Sequence, residues 1–483
     1  MSKPYDTLVD QGSFAERDAD VVSADPLSYP SYREATRSAG DKSDSSESVL
    51  AGPARIGGHE VEIAVFDFGF FGGSMGEASG ERLARAMERA ADNNTPFVLR
   101  TATGGARMQE GMRSLIQMPK VVAARVGLAN KGVPFLAVLG HPTTGGVLAS
   151  LGGLADITLA TEGATIGFAG PRVAEAFTGR PLRAGSRTSA SALRSGLVDR
   201  VVGEQDERAV VASILDVLAA DQPESGDVPV EADDRDGTDT GRRGDAWGIV
   251  LAARAEDRLN AAEAVEQIAD VHHELRGDRA GTDDRGVITT IARVAGRRCV
   301  LIALDRRVAP TAGGFRKARR VVELADRLRL PVVTLVDTRG ADPSEDSEAG
   351  GVAWEIARLF EAMLTTSSPI LSVVTGEGGS GGALAFAAGD VLVAYAHSFF
   401  SVIGPEGAAQ ILWRDAGRAS EAARLLKVTA HDLKRLGIAD AVIAEPLDAR
   451  SLRGVVAYHL ERASNAGPRG ERAERRRRRW RTL

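Results

Sequence analysis

The sequence predicts an α/β protein made of two tandem domains that share one fold. Short apolar segments of the length of buried strands alternate with segments of helical periodicity, which is typical of folds with much parallel strand pairing. Two dense regions, at about 56–202 and 247–459, are separated by a stretch with few large apolar residues. The same glycine motifs occur in both regions in the same order, which indicates a duplicated domain.

Length and composition limit the possible functions before any motif is considered. The chain has 483 residues, enough for two hydrophobic cores, and 43% of them are hydrophobic. The formal net charge of −6 argues against a dedicated nucleic-acid-binding protein. The single cysteine, Cys299, excludes a disulfide within the chain and a cysteine-based zinc site.

The first 20 residues are polar and contain no apolar core, so we expect no signal peptide. No apolar run reaches the roughly 20 residues that a membrane helix requires. We therefore expect a cytoplasmic protein without a membrane partner.

Changes in composition set the expected elements and domain boundaries. The predicted strands include residues 97–99, 135–139, 331–336 and 370–374, and the predicted helices include residues 80–93, 206–220 and 349–364. The predicted segments are a polar N-terminal segment (1–50), a first domain (51–220), a flexible acidic linker (221–245), a second domain (246–465) and an arginine-rich tail (466–483). We expect Arg37–Ser48 to be disordered, and we expect the tail to be solvated, disordered and dispensable for chemistry.

The repeated motifs lie about 235 residues apart, with a drift of one or two residues. In each region a Gly-Ala pair follows one predicted strand and a second glycine pair follows the next. The matched motifs are Gly104-Gly105-Ala106 with Arg339-Gly340-Ala341, Thr144-Gly145-Gly146-Val147 with Ser380-Gly381-Gly382-Ala383, residues 154–156 with 388–390, and residues 166–171 with 400–405. Because chance would not hold this register over four motifs, we interpret the chain as a duplicated domain.

Glycine pairs at a junction between a strand and a helix leave backbone N–H groups accessible to a ligand. Two such groups form an oxyanion hole, which stabilises an enolate or a ureido-type anion. The candidate catalytic positions are Gly105-Ala106 with Gly145-Gly146 in the first region, and Gly340-Ala341 with Gly381-Gly382 in the second. A single pair would more often serve helix–strand packing, but four pairs in matched order favour the catalytic interpretation.

Other catalytic motifs are weak. The run from Gly378 to Gly382 suggests a nucleophilic Ser380, yet no histidine lies in register to activate it. His272 and His273 are adjacent on a segment expected to be helical, where they point in different directions, so we predict no metal site. Oxyanion holes without a protein acid or base fit a reaction of a CoA thioester in which a cofactor carries out the proton transfer.

Several motifs in both halves match those of a known family. The first half resembles the beta-type subunit of the acetyl-CoA carboxylase carboxyltransferase, and the second half resembles the alpha-type subunit. The motifs similar to the beta-type subunit are residues 70–76 (FFGGSMG), 104–110 (GGARMQE), 142–147 (PTTGGV) and 166–173 (IGFAGPRV). The motifs similar to the alpha-type subunit are residues 274–279 (ELRGDR), 314–318 (GFRKA), 337–341 (DTRGA), 376–384 (GEGGSGGAL) and 405–408 (PEGA). These motifs cover roughly residues 55–205 and 270–447.

The resemblance implies a crotonase-like (ClpP/crotonase, ββα superhelix) fold in each half. It implies transfer of CO2 from carboxybiotin, held on a separate biotin carboxyl carrier protein, to acetyl-CoA or a related acyl-CoA, giving malonyl-CoA or its homologue. The first two glycine pairs would hold the thioester oxygen, and the last two would hold the biotin oxygen. It further implies a biotin carboxylase on a separate chain, a homodimer or higher homo-oligomer, and cofactor contacts at Gly378, Gly379, Arg316 and Lys317.

Two other functions stay open on the sequence. One is a biotin-independent malonyl-thioester decarboxylase, which uses related paired subunits. The other is a non-catalytic assembly subunit, because Arg339 and Asp342 stand where the family usually has Pro and Tyr beside the biotin hole. The four-cysteine zinc ribbon that usually opens the beta-type subunit does not occur here either.

Overall fold

A computed structural model describes residues 3–170, 174–175, 178–223, 231, 246–444 and 446–483. The chain divides into two compact units, residues 1–218 (unit 1) and 219–483 (unit 2). Most of the predicted linker, Asp221 to Asp245, lies outside the described residues.

Unit 1 contains one sheet with helices packed against it. Its described helices are α1 (Tyr32–Ser43), α2 (Glu77–Asn93), α3 (Met112–Leu115), α4 (Gln117–Asn130), α5 (Gly145–Ser150), α6 (Ser189–Arg194) and α7 (Glu207–Leu218). Its described strands are β1 (Val49–Ile56), β2 (His59–Phe66), β3 (Phe97–Thr103), β4 (Phe135–Thr144), β5 (Ile157–Thr161), β6 (Ile166–Gly167) and β7 (Arg200–Val202).

The sheet of unit 1 has the order β1-β2-β3-β4-β5-β7, with β6 paired to the end of β4. Strands β1 and β2 form an antiparallel hairpin, and every later pairing is parallel. The hairpin turns at Gly57 and Gly58, whose φ angles of 59° and 85° match the tight turn that suits twisted strands. The core forms where α2 and α4 cover the apolar side chains of β3 and β4.

Unit 2 repeats this plan with additional helices. Its described helices are α8 (Ala246–Ala253), α9 (Ala261–Ile268), α10 (Ala312–Leu328), α11 (Glu345–Ala349), α12 (Val352–Thr365), α13 (Ser380–Ala387), α14 (Pro405–Trp413), α15 (Ala419–Leu426), α16 (Ala430–Arg435), α17 (Ala449–Asn465) and α18 (Arg469–Thr482). Its described strands are β8 (Val271–Glu274), β9 (Val287–Val294), β10 (Arg297–Leu304), β11 (Val332–Thr338), β12 (Ile370–Gly379), β13 (Val391–Tyr395), β14 (Phe399–Ser401) and β15 (Ala441–Ile443).

The sheet of unit 2 has the order β15-β13-β12-β11-β10-β9-β8, with β14 paired to the end of β12. Strands β9 to β15 therefore follow the same path as β1 to β7, and β8 is an addition at the edge. The long helices correspond as well: α2 and α10 each have 17 residues and end at a left-handed residue, Asn94 or Arg329. The predicted α/β fold with two tandem domains is confirmed, as are the predicted strands and helices.

The structure of the N-terminal segment shows that the prediction of disorder there was wrong. Residues 37–48 are not disordered, because α1 covers much of this stretch and Glu47 and Ser48 are fully buried. The guanidinium of Arg82 on α2 fastens the segment by donating to the carbonyl oxygens of Val21 at 2.9 Å and Ala19 at 3.0 Å. Composition misled here because the polar residues of the segment are satisfied by partners far along the chain.

The prediction that the arginine-rich tail is solvated and disordered was also wrong. It is the helix α18, and its Arg476 is 1% exposed. Four arginines spaced along one helix face donate to carboxylates and carbonyl oxygens of unit 2; they are Arg469, Arg472, Arg476 and Arg479. The tail is therefore a docked element rather than a solvated one.

Three smaller observations concern metal ligands and membrane-spanning segments. His272 and His273 lie on β8, not on a helix. Within the described ranges, no group of three or more His, Cys, Asp or Glu side chains is arranged to hold a metal ion. None of the helices in the described part of the chain combines the length and apolar character needed to cross a membrane.

Candidate active site

The first glycine junction lies where β3 and β4 end. The ladder between these strands shifts register between Thr101 and Thr103, and the Thr103 hydroxyl then accepts the N–H of Gly105 at 3.0 Å. Gly105 has φ 110° and Gly145 has φ 66°, both in the region that favours glycine. A Cβ on Gly145 would lie 2.9 Å from the Gly105 Cα, so only glycine allows the two turns to approach this closely.

Ala106 is held in place by its neighbours. The Met75 N–H donates to the Gly105 carbonyl at 2.8 Å, and the Arg107 N–H donates to the Met75 carbonyl at 2.9 Å. These two bonds leave the Ala106 N–H directed away from Met75. Among the described residues, neither the Ala106 N–H nor the Gly146 N–H, at the start of α5, donates to a protein acceptor.

Unit 2 builds the same junction from β11 and β12. The register shifts between Val336 and Thr338, and the Thr338 hydroxyl accepts the N–H of Gly340 at 3.2 Å. Gly340 has φ 122°. A Cβ on Gly382 would lie 2.7 Å from the Ala341 nitrogen, so a side chain there would crowd that N–H. In the part of the chain that the structure describes, the N–H groups of Ala341 and Gly381 have no protein acceptor.

The structure refines the match between the two second glycine pairs by one residue. Helix α5 begins at Gly145 and α13 begins at Ser380, and both residues have left-handed φ angles, 66° and 61°. Gly146 therefore corresponds to Gly381, and Gly382 corresponds to Val147. All eight predicted catalytic positions lie at the two junctions, four at each.

A cavity of about 420 Å³ in unit 2 is lined by residues around the end of β11, including Arg339, Asp337, Glu377 and Arg254. Burial raises the pKa of Asp337 even though Arg258 donates to it at 2.7 Å and opposes the effect. The guanidinium of Arg254 forms two hydrogen bonds of 2.8 Å with Glu377, and these raise its pKa. Glu377 and Asp337 in this cavity are thus each paired with an arginine, and the junction itself offers neutral donors.

The four residues predicted to contact the cofactor are placed differently. A Cβ on Gly378 would lie 2.2 Å from the Phe400 ring and one on Gly379 would lie 2.0 Å from the Arg339 carbonyl, so these glycines serve packing inside β12. Lys317 is 1% exposed and donates to Asp283 at 2.9 Å, and Arg316 donates to Asp278 at 2.9 Å. The structure thus uses both cations inside unit 2, which gives no support to cofactor contacts by Lys317.

Sequence reasoning missed a buried ionic group beside Ala106. Arg107, Glu47 and Glu110 have side chains with no exposed surface and are joined by ion pairs. Arg107 and Glu110 lie within the motif at residues 104–110, but Glu47 lies in the stretch, residues 37–48, that was predicted to be disordered. The only local signal was an acidic residue two positions before the apolar strand β1.

Comparison with known proteins shows which family the chain belongs to. A family model described as acetyl co-enzyme A carboxylase carboxyltransferase-like matches residues 238–463. The acetyl-coenzyme A carboxylase carboxyl transferase subunits beta/alpha of Salinispora arenicola is 43% identical over 92% of this chain and 81% of its own length. This chain belongs to the fused beta/alpha carboxyltransferase family. It is a transferase of the biotin-dependent acyl-CoA carboxylase type, as the motifs predicted.

Two further relatives support this membership. The probable biotin-dependent acyl-coenzyme A carboxylase beta3 subunit of Mycobacterium tuberculosis is 35% identical over 92% of this chain and 88% of its own length. The crystal structure of the transcarboxylase 12S hexamer, with methylmalonyl-coenzyme A and methylmalonic acid bound, matches with a TM-score of 0.78 at 25% identity. The match covers 96% of this chain and 89% of that one, so the carboxyltransferase likeness spans both units.

Proposed function

We propose that this carboxyltransferase moves a carboxyl group from carboxybiotin, carried on a separate carrier protein, to acetyl-CoA or a related acyl-CoA. The observation that carries the proposal is the pair of matched junctions, each with two N–H groups that have no protein acceptor among the described residues. Malonyl-CoA or its homologue is the product, which suits fatty acid biosynthesis in the cytoplasm. The carboxylated cofactor is made by a biotin carboxylase on another chain.

The two junctions divide the chemistry. In unit 1 the N–H groups of Ala106 and Gly146 stabilise the thioester oxygen when the acyl group becomes an enolate. In unit 2 the N–H groups of Ala341 and Gly381 stabilise the oxygen of the biotin ureido group, and glycine at 382 keeps the Ala341 N–H accessible. Each donor contributes ~3 kcal/mol to the transition state. The cofactor supplies the carboxyl group and the nitrogen that accepts the substrate proton.

We propose that the active form is a homodimer or a higher homo-oligomer. Large apolar side chains are exposed beside the unit 1 junction, where Met108 is 85% exposed and Phe168 is 72% exposed. Unit 2 exposes Val402 and Ile411 to a similar degree, at 73% and 71%. Association of copies of the chain would cover these exposed apolar side chains.

The test separates the two half-sites. Gly146→Val should abolish all acyl-CoA chemistry, including any decarboxylation of malonyl-CoA, whereas Gly382→Val should abolish only steps that use carboxybiotin; each loss should reach about 10²–10³-fold or more. The assay is formation of malonyl-CoA from acetyl-CoA with a carboxylated carrier. Gly127→Val and Gly248→Val are matched controls, because both glycines lie in helices with no atom within 4 Å of an added Cβ.

Three outcomes would overturn the proposal. If malonyl-CoA breakdown without biotin is robust and survives Gly382→Val unchanged, the chain is a decarboxylase. If the purified chain turns over neither acetyl-CoA nor malonyl-CoA with a competent carrier, it is an assembly subunit. Normal activity in both junction variants would show that the glycine pairs serve packing alone.

A further inference from the structure

A cluster of five polar side chains lies beneath the unit 1 junction. We call it the Arg107 cluster; its members are Ser23, Tyr32, Glu47, Arg107 and Glu110. Arg107, Glu47, Glu110 and Tyr32 are all at most 2% exposed. Three of the five members come from the N-terminal segment, which the sequence set apart from the first domain.

Arg107 is the centre of the cluster. Its guanidinium pairs with both carboxylate oxygens of Glu47, with a distance of 3.1 Å between Nη1 and Oε2 and a shorter contact between Nη2 and Oε1. The same group donates to the Ser74 carbonyl at 2.9 Å. A bidentate pair fixes the direction of the guanidinium as well as its position, so the backbone on either side of Arg107 is also fixed.

Tyr32 connects the N-terminal helix to the other acid. Its hydroxyl donates to Glu110 Oε1 at 2.6 Å, and it accepts from Arg107 Nη1 at 3.2 Å. Ser23 donates to the same Glu110 oxygen at 2.8 Å. Burial raises the pKa of Tyr32 to about 12, against the opposing charge of Arg107, so the hydroxyl stays protonated and remains a donor.

The cluster has two carboxylates, Glu47 and Glu110, for one guanidinium. Neutral donors supply the remaining hydrogen bonds to these carboxylates. Burial by itself raises the pKa of Glu110, but the hydrogen bonds from Tyr32 and from the Glu77 N–H, with the charge of Arg107, lower it overall. A Cβ on Gly76 would lie 2.6 Å from Glu110 Oε1, so glycine there allows the carboxylate to reach the start of α2. The hydrogen bond from Tyr32 is therefore one of the contacts that hold Glu110 ionised in its buried position.

The cluster is covalently continuous with the proposed oxyanion hole. Arg107 directly follows Ala106, and Met75, which brackets Ala106 with two backbone hydrogen bonds, directly follows Ser74. The side chain of Arg107 thus holds both strands of the small bridge that orients the Ala106 N–H. A shift of even a fraction of an ångström in that donor weakens a bond made only in the transition state.

We propose that Tyr32 and Glu47 of the N-terminal segment are positioning residues for the Ala106 N–H donor. This inference rests on the proposed function, because it assigns a further role within the same acyl site. The N-terminal segment acts through Arg107 and Glu110 and does not contact the substrate. Removal of one member should slow the chemical step and leave binding of acyl-CoA nearly unchanged.

The test variant is Tyr32→Phe, which keeps the ring packed on Phe71 with centroids 5.5 Å apart and removes only the hydroxyl. We expect kcat for carboxyl transfer to fall about 10–100-fold, with KM for acyl-CoA changed less than about 3-fold. Ser23→Ala, which removes a weaker donor to Glu110, should give a smaller loss in the same direction. Tyr29→Phe is the matched control, because Tyr29 is exposed on the same segment and should leave both constants unchanged.

A second measurement does not depend on turnover. Backbone hydrogen exchange of the full-length chain should show faster exchange at residues 104–111 in Tyr32→Phe than in Tyr29→Phe. Unchanged kcat and unchanged exchange in Tyr32→Phe would overturn the positioning role. A rise in KM at constant kcat would do so as well. A wild-type chain without transferase activity would instead defeat the proposed function, and the exchange data would still decide whether the cluster orders this segment.

Discussion

Arg476 and Asp390 form a buried two-point ion pair, with 3.0 Å between Nε and Oδ1 and 2.7 Å between Nη2 and Oδ2. Asp390 also accepts the N–H of Ile370, the first residue of β12, at 2.8 Å. In unit 1 the equivalent Asp156 accepts the N–H of Phe135 at 2.9 Å and pairs with Arg125 of α4. The duplicated aspartate therefore has a basic partner in both units, but in unit 2 that partner comes from the C-terminal helix.

The first prediction follows from this pair. Arg476→Ala should lower the free energy of unfolding of unit 2 by ~3–5 kcal/mol, because it leaves a buried carboxylate and three buried carbonyl oxygens without their donor. Urea unfolding of the full-length chain measures the change. Arg477→Ala is the control: among the described residues this exposed arginine pairs with Glu474 alone, so its loss should change stability by less than about 0.5 kcal/mol. Equal effects in the two variants would contradict the docked tail.

The second prediction concerns Ser380. Its φ of 61° is a conformation that side chains avoid, and the equivalent residue in unit 1 is Gly145. Ser380→Gly should raise stability by about 0.5–1 kcal/mol, since relief of backbone strain exceeds the entropy that glycine adds to the unfolded chain. Gly145→Ser should destabilise unit 1, because its Cβ would also approach the Gly105 Cα to 2.9 Å. Thermal unfolding measures both variants, and a loss of stability in Ser380→Gly would show that the serine hydroxyl supports the fold.

The third prediction concerns pH. Burial, together with the charge of Arg462, lowers the pKa of His459 to about 4 from its ordinary 6.5. The folded chain therefore keeps His459 neutral while the unfolded chain takes up a proton below pH 6.5. Stability should fall as the pH decreases from 6.5 to about 4, by up to ~1.4 kcal/mol per pH unit from this group.

The measurement is urea unfolding between pH 7 and pH 4. His459→Gln should flatten the slope in that window, whereas His397→Gln, at an exposed position, should keep it. A wild-type slope that His459→Gln leaves intact would assign the pH dependence to other groups.

Much of the fold could be predicted because its determinants are local. The apolar runs that became β3, β4, β11 and β12, and the periodicity that became α2 and α12, each lie within one stretch of sequence. The glycine junctions were also found from the sequence, because left-handed φ angles at Gly105, Gly145 and Gly340 leave little choice of residue. The match of Gly145 with Ser380 escaped detection, since serine there contradicts the usual preference.

Charged residues were the main source of error. The tail was predicted to be solvated because a run of like charges is typical of surfaces, and the resemblance implied a cofactor contact at Lys317. In the structure Lys317 reaches Asp283, and Arg476 reaches Asp390, 86 residues away in sequence. No local pattern specifies whether such a partner exists.

The sequence by itself determined the duplicated α/β plan and the position of the glycine junctions, because periodicity and glycine preference act over a few residues. Only the tertiary structure decided which charges are buried, and it brought Glu47 and Tyr32 to Arg107 beside the unit 1 junction. The physical reason is that burial of a charge is stable only with a partner in contact, and these partners are separated by 60 and 75 residues of chain.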